Sequence, residues 1–207
     1  MPTQPNVAVA ETITLPKPRR TGQAALEAVM SARRSVRDFT AGPVTLAELG
    51  QLLWAAQGTT DTDVGRTAPS AGATYPLELY AVAGTVDDLP PGVYRYDPHL
   101  HALHGIAADD RRRALAAAAL SQSWIADAAL VLVIAAVFKR TTGKYGRRGE
   151  RYVHIEVGHA GQNVCLQAEA LGLGTTVVGA FGDDAVKAVI GADEPGEPLC
   201  LLPVGRT

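Results

Sequence analysis

Residues 152–171 constrain this chain more than any other stretch. Val153, Val157, Ala160, Val164, Leu166 and Leu171 recur at helical spacing on one broad face, and Gly172 and Gly174 stop the pattern. Gly158 and Gly161 lie inside it, where each costs about 1 kcal/mol relative to alanine. Small residues at such a cost imply that a neighbouring helix or ligand comes close. Around this helix the pattern predicts shorter helices over 22–31, 109–119 and 183–190. Another starts at the capping box Thr45/Glu48 and continues through Leu49, Leu52 and Leu53. Strands are expected over 79–82, 92–97, 99–105, 128–138, 175–178 and 198–204. Helices and strands are interspersed without a regular βαβ alternation, so the predicted class is α+β.

The 207 residues fit one domain, expected over 21–207, preceded by an extended arm over 1–20 that is broken by Pro2, Pro5, Pro16 and Pro18. A hydrophobic content of 47% is enough for a core without staples. Cys165 and Cys200 lie in apolar stretches and read as buried small hydrophobes; no metal-ligand spacing accompanies them. A net charge of −2 gives no global case for nucleic-acid or membrane binding. The longest apolar run, 126–138, is too short to span a bilayer. The first residues lack the pattern of a signal peptide, so a cytoplasmic protein is expected.

Four motifs could carry chemistry. Arg33-Arg34-Ser35-Val36-Arg37 gathers three guanidinium groups and a hydroxyl; extended, it puts Arg33, Ser35 and Arg37 on one face, suited to a phosphate. The same residues could simply be a solvated helix end that complements the macrodipole. In residues 69–76, Pro69, Ser70, Ala71 and Gly72 let the backbone approach a flat ligand, although such loops are common. Residues 175–182 run from a strand into a glycine-bracketed turn that could present N–H groups to a ligand edge. Residues 144–152 are a basic cluster expected as a loop before the long helix; Lys144 and Tyr145 could move a proton there, or the cluster could be solvated surface. Neither a Rossmann fingerprint nor a P-loop is present, and no serine-hydrolase elbow. His154 and His159 fall on different helix faces, which disfavours a metal.

Taken in order, the blocks RRSVRDF (33–39), PSAGATYPLELY (69–80), GVYRYDP (92–98), SQSWIADAALVLVI (121–134), 144–174, VVGAFGDD (177–184) and PVG (203–205) resemble the nitroreductase superfamily, and more narrowly its SagB-type dehydrogenase branch. The resemblance covers nearly everything after residue 24. It implies an α/β sandwich forming an intertwined homodimer with FMN at the subunit interface. Arg33, Arg34, Ser35 and Arg37 would hold the phosphate, ribityl chain and pyrimidine edge. Pro69, Ser70, Ala71 and Gly72 would come from the other subunit and line the isoalloxazine. Gln122 would contact the flavin region, and Gly179, Ala180 and Phe181 would pass near N5, where a hydrogen bond tunes hydride transfer. The 152–171 helix would be the dimer helix.

The chain departs from the pattern twice. Ala73 and Tyr75 stand where typical members have Asn and Gln, and the tail that carries basic phosphate ligands is represented here by Arg206 and Thr207, with Arg206 as the candidate for that work. The residues before 21 are not expected to hold a leader-peptide-binding domain. In azoline-oxidising relatives a Lys-Tyr pair is implicated in deprotonating the substrate, and Lys144-Tyr145 matches it. The expected activity is an FMN-dependent dehydrogenation of a peptide-derived or other small molecule. The alternatives are an NAD(P)H-dependent nitro or quinone reductase and a non-catalytic flavin-binding module.

Overall fold

The computed structural model describes residues 12–60, 65–191 and 196–207. Its centre is β5 (Leu130–Ala136), every residue of which is buried. β5 pairs antiparallel with β2 (Leu77–Ala83) on one side and with β7 (Glu197–Gly205) on the other. β3 (Gly92–Asp97) and β4 (Ala102–Ala107) extend the sheet beyond β2, and β6 (Gly174–Thr175) closes it beyond β7. With β1 (Thr12–Thr14), the order is β1-β4-β3-β2-β5-β7-β6.

Alternation along the central strands decides the layers. Leu77, Leu79 and Ala81 of β2 and Leu130, Leu132 and Ile134 of β5 share one face with α2 (Leu46–Gln57) and α5 (Arg148–Ala170). Tyr80, Val82, Val131 and Val133 point to the other face, against α3 (Arg112–Ala118) and α6 (Asp183–Ile190). A strand buried on both sides loses the polar–apolar alternation of a half-exposed one, so the sheet lies between two helical layers and the expected sandwich is present.

The capping box forms as predicted: Thr45 Oγ1 accepts from Glu48 N at 3.2 Å, and Thr45 N donates to Glu48 Oε2 at 2.8 Å. α6 has the predicted bounds. Other boundaries move. α1 covers Leu26–Ala32 rather than 22–31. The second hairpin strand begins at Ala102 instead of 99, because the Asp97 carboxylate accepts from the His99 and Leu100 amides and extends the turn. Part of the stretch expected as an arm lies on the chain's own sheet: β1 pairs with β4, and His101 Nε2 lies 3.0 Å from Pro16 O. Residues 1–11 lie outside the described residues.

The largest correction concerns residues 138–151. The strand expected to reach Phe138 ends at Ala136, and α4 (Phe138–Tyr145) follows. α5 starts at Arg148, so the expected basic loop is mostly helix. Two threonines and Gly143 weaken the local helix propensity of α4; its packing on α5 compensates. Gly149 permits that contact, since a Cβ there would sit 2.9 Å from Thr142 Cα. Gly158 and Gly161 behave differently from expectation within the chain: nothing lies within 4 Å of a Cβ at either.

Cys165 and Cys200 are free and buried. Burial pushes the Cys200 thiol up to about 12, so it is not a thiolate nucleophile. Among the described residues no cluster of His, Cys, Asp and Glu could hold a metal, and no helix is long and apolar enough to cross a membrane.

Candidate active site

Two groups of residues gather at opposite ends of α5, whose 23 residues span about 35 Å. The first lies beside the strand that follows the helix. Residues 33–39 run extended after α1, and Val36 N donates to Thr175 O at 3.0 Å, fixing the segment on β6. Among the described residues the Arg33 and Ser35 side chains make no hydrogen bond. The Arg37 guanidinium lies 5.7 Å from the centre of the Trp124 ring. Gln122 Nε2 donates to Ala119 O at 2.9 Å and to Ala180 O at 3.1 Å, tying the turn before β5 to residues 179–181. Val178 N and Gly182 N are bonded to Leu201 O and Ala118 O; between them, no amide of Gly179, Ala180 or Phe181 has a backbone partner among the described residues. No atom lies within 4 Å of a Cβ built at Gly179. Side-chain donors at Arg33 and Ser35 and backbone donors at 179–181 are therefore left without protein partners among the described residues.

Arg34 stands apart from this group. Its Nη1 donates to Ser31 O, Ala32 O and Arg33 O at 2.8, 3.2 and 2.9 Å, covering the C-terminal carbonyls of α1. The helix-end reading thus describes Arg34, while Arg33, Ser35 and Arg37 point elsewhere. Arg206 also has a structural post. Its Nη1 and Nη2 each donate to Glu48 at 2.8 Å, and its Nε donates to Pro43 O at 3.0 Å. Burial pushes Glu48 up, but Arg206 and Thr45 outweigh it and hold the carboxyl below the ordinary value. With two donor atoms on Glu48 of the α2 capping box and a third on Pro43 O, Arg206 fastens β7 to the start of α2.

The second group sits at the other end of α5. Ser70 leads into a single 3₁₀ turn over Ala71–Ala73, in which Gly72 has φ 61°. Ala73 and Tyr75 also take left-handed φ values, 53° and 44°. Lys144 Nζ donates to Gly72 O at 3.3 Å from the last turn of α4. A Cβ on Gly72 would collide with Tyr145 Oη and come within 2.6 Å of Lys144 Nζ, so only glycine lets this pair rest on the loop. Tyr145 packs edge-on against Tyr152 of α5. Arg140 Nη1 donates to Tyr75 O at 3.2 Å, and Ser70 Oγ accepts from Tyr75 N at 2.9 Å. The proline-serine block and the Lys-Tyr pair, 72 residues apart between Gly72 and Lys144, are brought together.

A family model described as the nitroreductase family matches residues 30–206. The chain belongs to the nitroreductase family. A Methanocaldococcus jannaschii protein provisionally named a nitroreductase is 50% identical over 181 residues, covering 87% of this chain and 90% of that one. The microcin B17-processing protein McbC of Escherichia coli is 30% identical over 138 residues, 63% of this chain and 50% of that protein. The chain thus spans nearly all of the archaeal relative but only half of the microcin protein. A crystal structure of a provisionally named nitroreductase from Ralstonia eutropha superposes with a TM-score of 0.81 at 30% identity, covering 100% of this chain and 96% of that one. As a family member the chain is an oxidoreductase of α/β sandwich fold.

Three contributors escaped the sequence. Trp124 had a signal, one of two tryptophans in the chain and two residues after Gln122. Glu156 had a clearer one: it is an acid on the buried face of α5, between Val153 and Ala160. Arg66, which lies 4.4 Å from the Tyr75 ring centre, had none.

Proposed function

We propose that this protein is an FMN-dependent oxidoreductase whose site is completed by two copies of the chain, and that it dehydrogenates a small or peptide-derived substrate. The supporting observation is the separation of the two groups along α5. The first group offers anion and flavin-edge donors: Arg33 and Ser35 toward a phosphate, Arg37 held on Trp124, and the amides of Gly179–Phe181 toward a ring edge. The second offers a shaped loop and a proton-handling pair. No single chain brings these together, whereas a twofold dimer packed along α5 would.

The surface of α5 suits that role. Ile155 is 49% exposed, and open space surrounds Gly158. On α1, Leu26 and Met30 are 59% and 58% exposed, beside a groove of about 770 Å³ lined by Leu26, Val29, Trp54, Leu166 and Gln167. Apolar exposure of this kind marks an interface.

The unengaged Arg33 and Ser35 donors and the open backbone at Gly179 fit FMN chemically. FMN held there would supply two-electron hydride chemistry. Arg33 and Ser35 hold its phosphate, and Ser70 to Gly72 of the second copy cover the ring. Tyr145 Oη and Lys144 Nζ both lie over Gly72, and one of them would take the single proton that leaves the substrate.

A second reading, reduction of nitro compounds or quinones with NAD(P)H, is favoured by the 50%-identical relative's name. A visible spectrum of the purified protein, followed by anaerobic addition of NADH or NADPH, separates the readings. Rapid bleaching supports the reductase, and flavin bands that persist unbleached favour the dehydrogenase or a non-catalytic flavin-binding module. A colourless protein that takes up no added FMN contradicts both.

A further inference from the structure

Gln122 follows a strained turn. Leu120 and Ser121, two successive residues and neither of them glycine, take left-handed φ values of 55° and 59°. Each such residue costs about 1–3 kcal/mol and persists only where its surroundings over-determine it. Leu120 is 69% exposed, so burial of its side chain does not account for the turn. Hydrogen bonds do. Gln122 N donates to Ala119 O at 3.2 Å, and Gln122 O accepts from Ile125 N at 3.1 Å within the 3₁₀ segment Ser123–Asp127. The backbone of Gln122 is thus pinned on both sides, and its side chain reaches from that fixed root to Ala119 O and Ala180 O.

Both partners of Gln122 Nε2 are carbonyl oxygens, which only accept, so the nitrogen end of the side-chain amide faces them. What this fixes is the plane of a peptide. In a trans peptide the carbonyl of one residue and the N–H of the next point in opposite directions. Val178 O accepts from Leu201 N at 2.9 Å, which turns the Gly179 N–H away from β7. Ala180 O accepts from Gln122 Nε2 at 3.1 Å, which turns the Phe181 N–H away from Gln122. Neither N–H has a backbone partner among the described residues. The first plane is set by a bridge between backbone atoms, whereas the second is held at its carbonyl by one side chain.

We propose that Gln122 is a positioning residue that aims the Phe181 N–H into the first group's ligand site, and that the turn over Leu120 and Ser121 places it to do so. That the ligand edge met there belongs to a flavin rests on the reading given above; the aiming of the amide does not. A donor fixed in advance needs no reorganisation when its acceptor arrives.

The test is backbone order at residues 178–182 in the nitrogen-15-labelled protein without flavin, comparing wild type with Gln122→Met and Gln122→Glu. Methionine keeps the length of the side chain and donates nothing; the glutamate carboxylate cannot donate at neutral pH. In both variants the order parameter of the Phe181 amide should fall from about 0.85 to below about 0.6, with that of Gly179 unchanged. With FMN added, both variants should bind it as wild type does, because Arg33 and Ser35 are intact, while the nitrogen-15 resonance of labelled flavin N5 moves. Should Gln122→Glu fail to fold, Gln122→Met decides. Wild-type order at Phe181 in a folded variant, or equal loss of order at Gly179 and Phe181, overturns the proposal. If order at Phe181 alone falls but the N5 resonance stays in place, or no FMN is taken up, the flavin-edge reading falls and the aiming of the amide stands.

Discussion

The two ends of α5 solve opposite problems. At one end, residues 33–37 lie extended with Arg33 and Ser35 unengaged, and residues 179–181 leave their amides open. At the other, residues 70–75 are strained, and Arg140, Lys144, Ser70 and Arg66 each touch or bond them. One end waits for charge to arrive; the other is already shaped. The contrast suits binding energy taken from a phosphate, and chemistry that depends on preorganisation and a fixed proton acceptor.

Three sets of substitutions sharpen or break this comparison. The largest effect is expected from Arg33→Ala with Ser35→Ala, which removes two contacts to a phosphate; FMN affinity should fall about a hundredfold or more. Flavin fluorescence after dialysis reads this, and full occupancy would show that the anion site lies elsewhere. Next, Lys144→Ala and Tyr145→Phe should each lower turnover on the order of a hundredfold while flavin stays bound. Loss of flavin from either would make the two ends one binding site and dissolve the contrast. The smallest effect is expected at Arg206→Ala, which should leave flavin affinity unchanged and cost about 2 kcal/mol of stability. The Glu48 carboxyl is held below its ordinary 4.5, so its contribution is present above that pH and lost as pH falls through the folded value. Denaturation at pH 7 and pH 3 checks this: the gap between wild type and variant should shrink at pH 3.

How much of this was legible in the sequence differs between the two ends. A continuous apolar run rich in Val and Ile exposed β5, the capping box exposed α2, and the Asp183–Ile190 helix was readable to the residue, because each is decided by local pattern. The 33–37 anion motif was equally local, a cluster of guanidinium groups within five residues. The other end depends on tertiary packing. α4 has weak propensity and forms because Gly149 admits it against α5. The place of Lys144 and Tyr145 over Gly72 follows from that packing, and no spacing in the chain announces it. Arg34 and Arg206 show the converse, partners that the sequence could not announce. Both match a basic pattern, yet each is engaged by neighbours, one the carbonyls of α1 and the other Glu48, that only the fold brings to it.

The central claim is that one site takes its two halves from two chains. Mixing refolded or co-expressed Arg33→Ala/Ser35→Ala chains with Lys144→Ala chains tests it directly, with turnover per heterodimer as the readout. A shared site leaves one of two centres intact in each heterodimer, so about half of wild-type turnover should return although each parent is inactive. Heterodimers as inactive as their parents would place both halves of the site within a single chain and contradict the account.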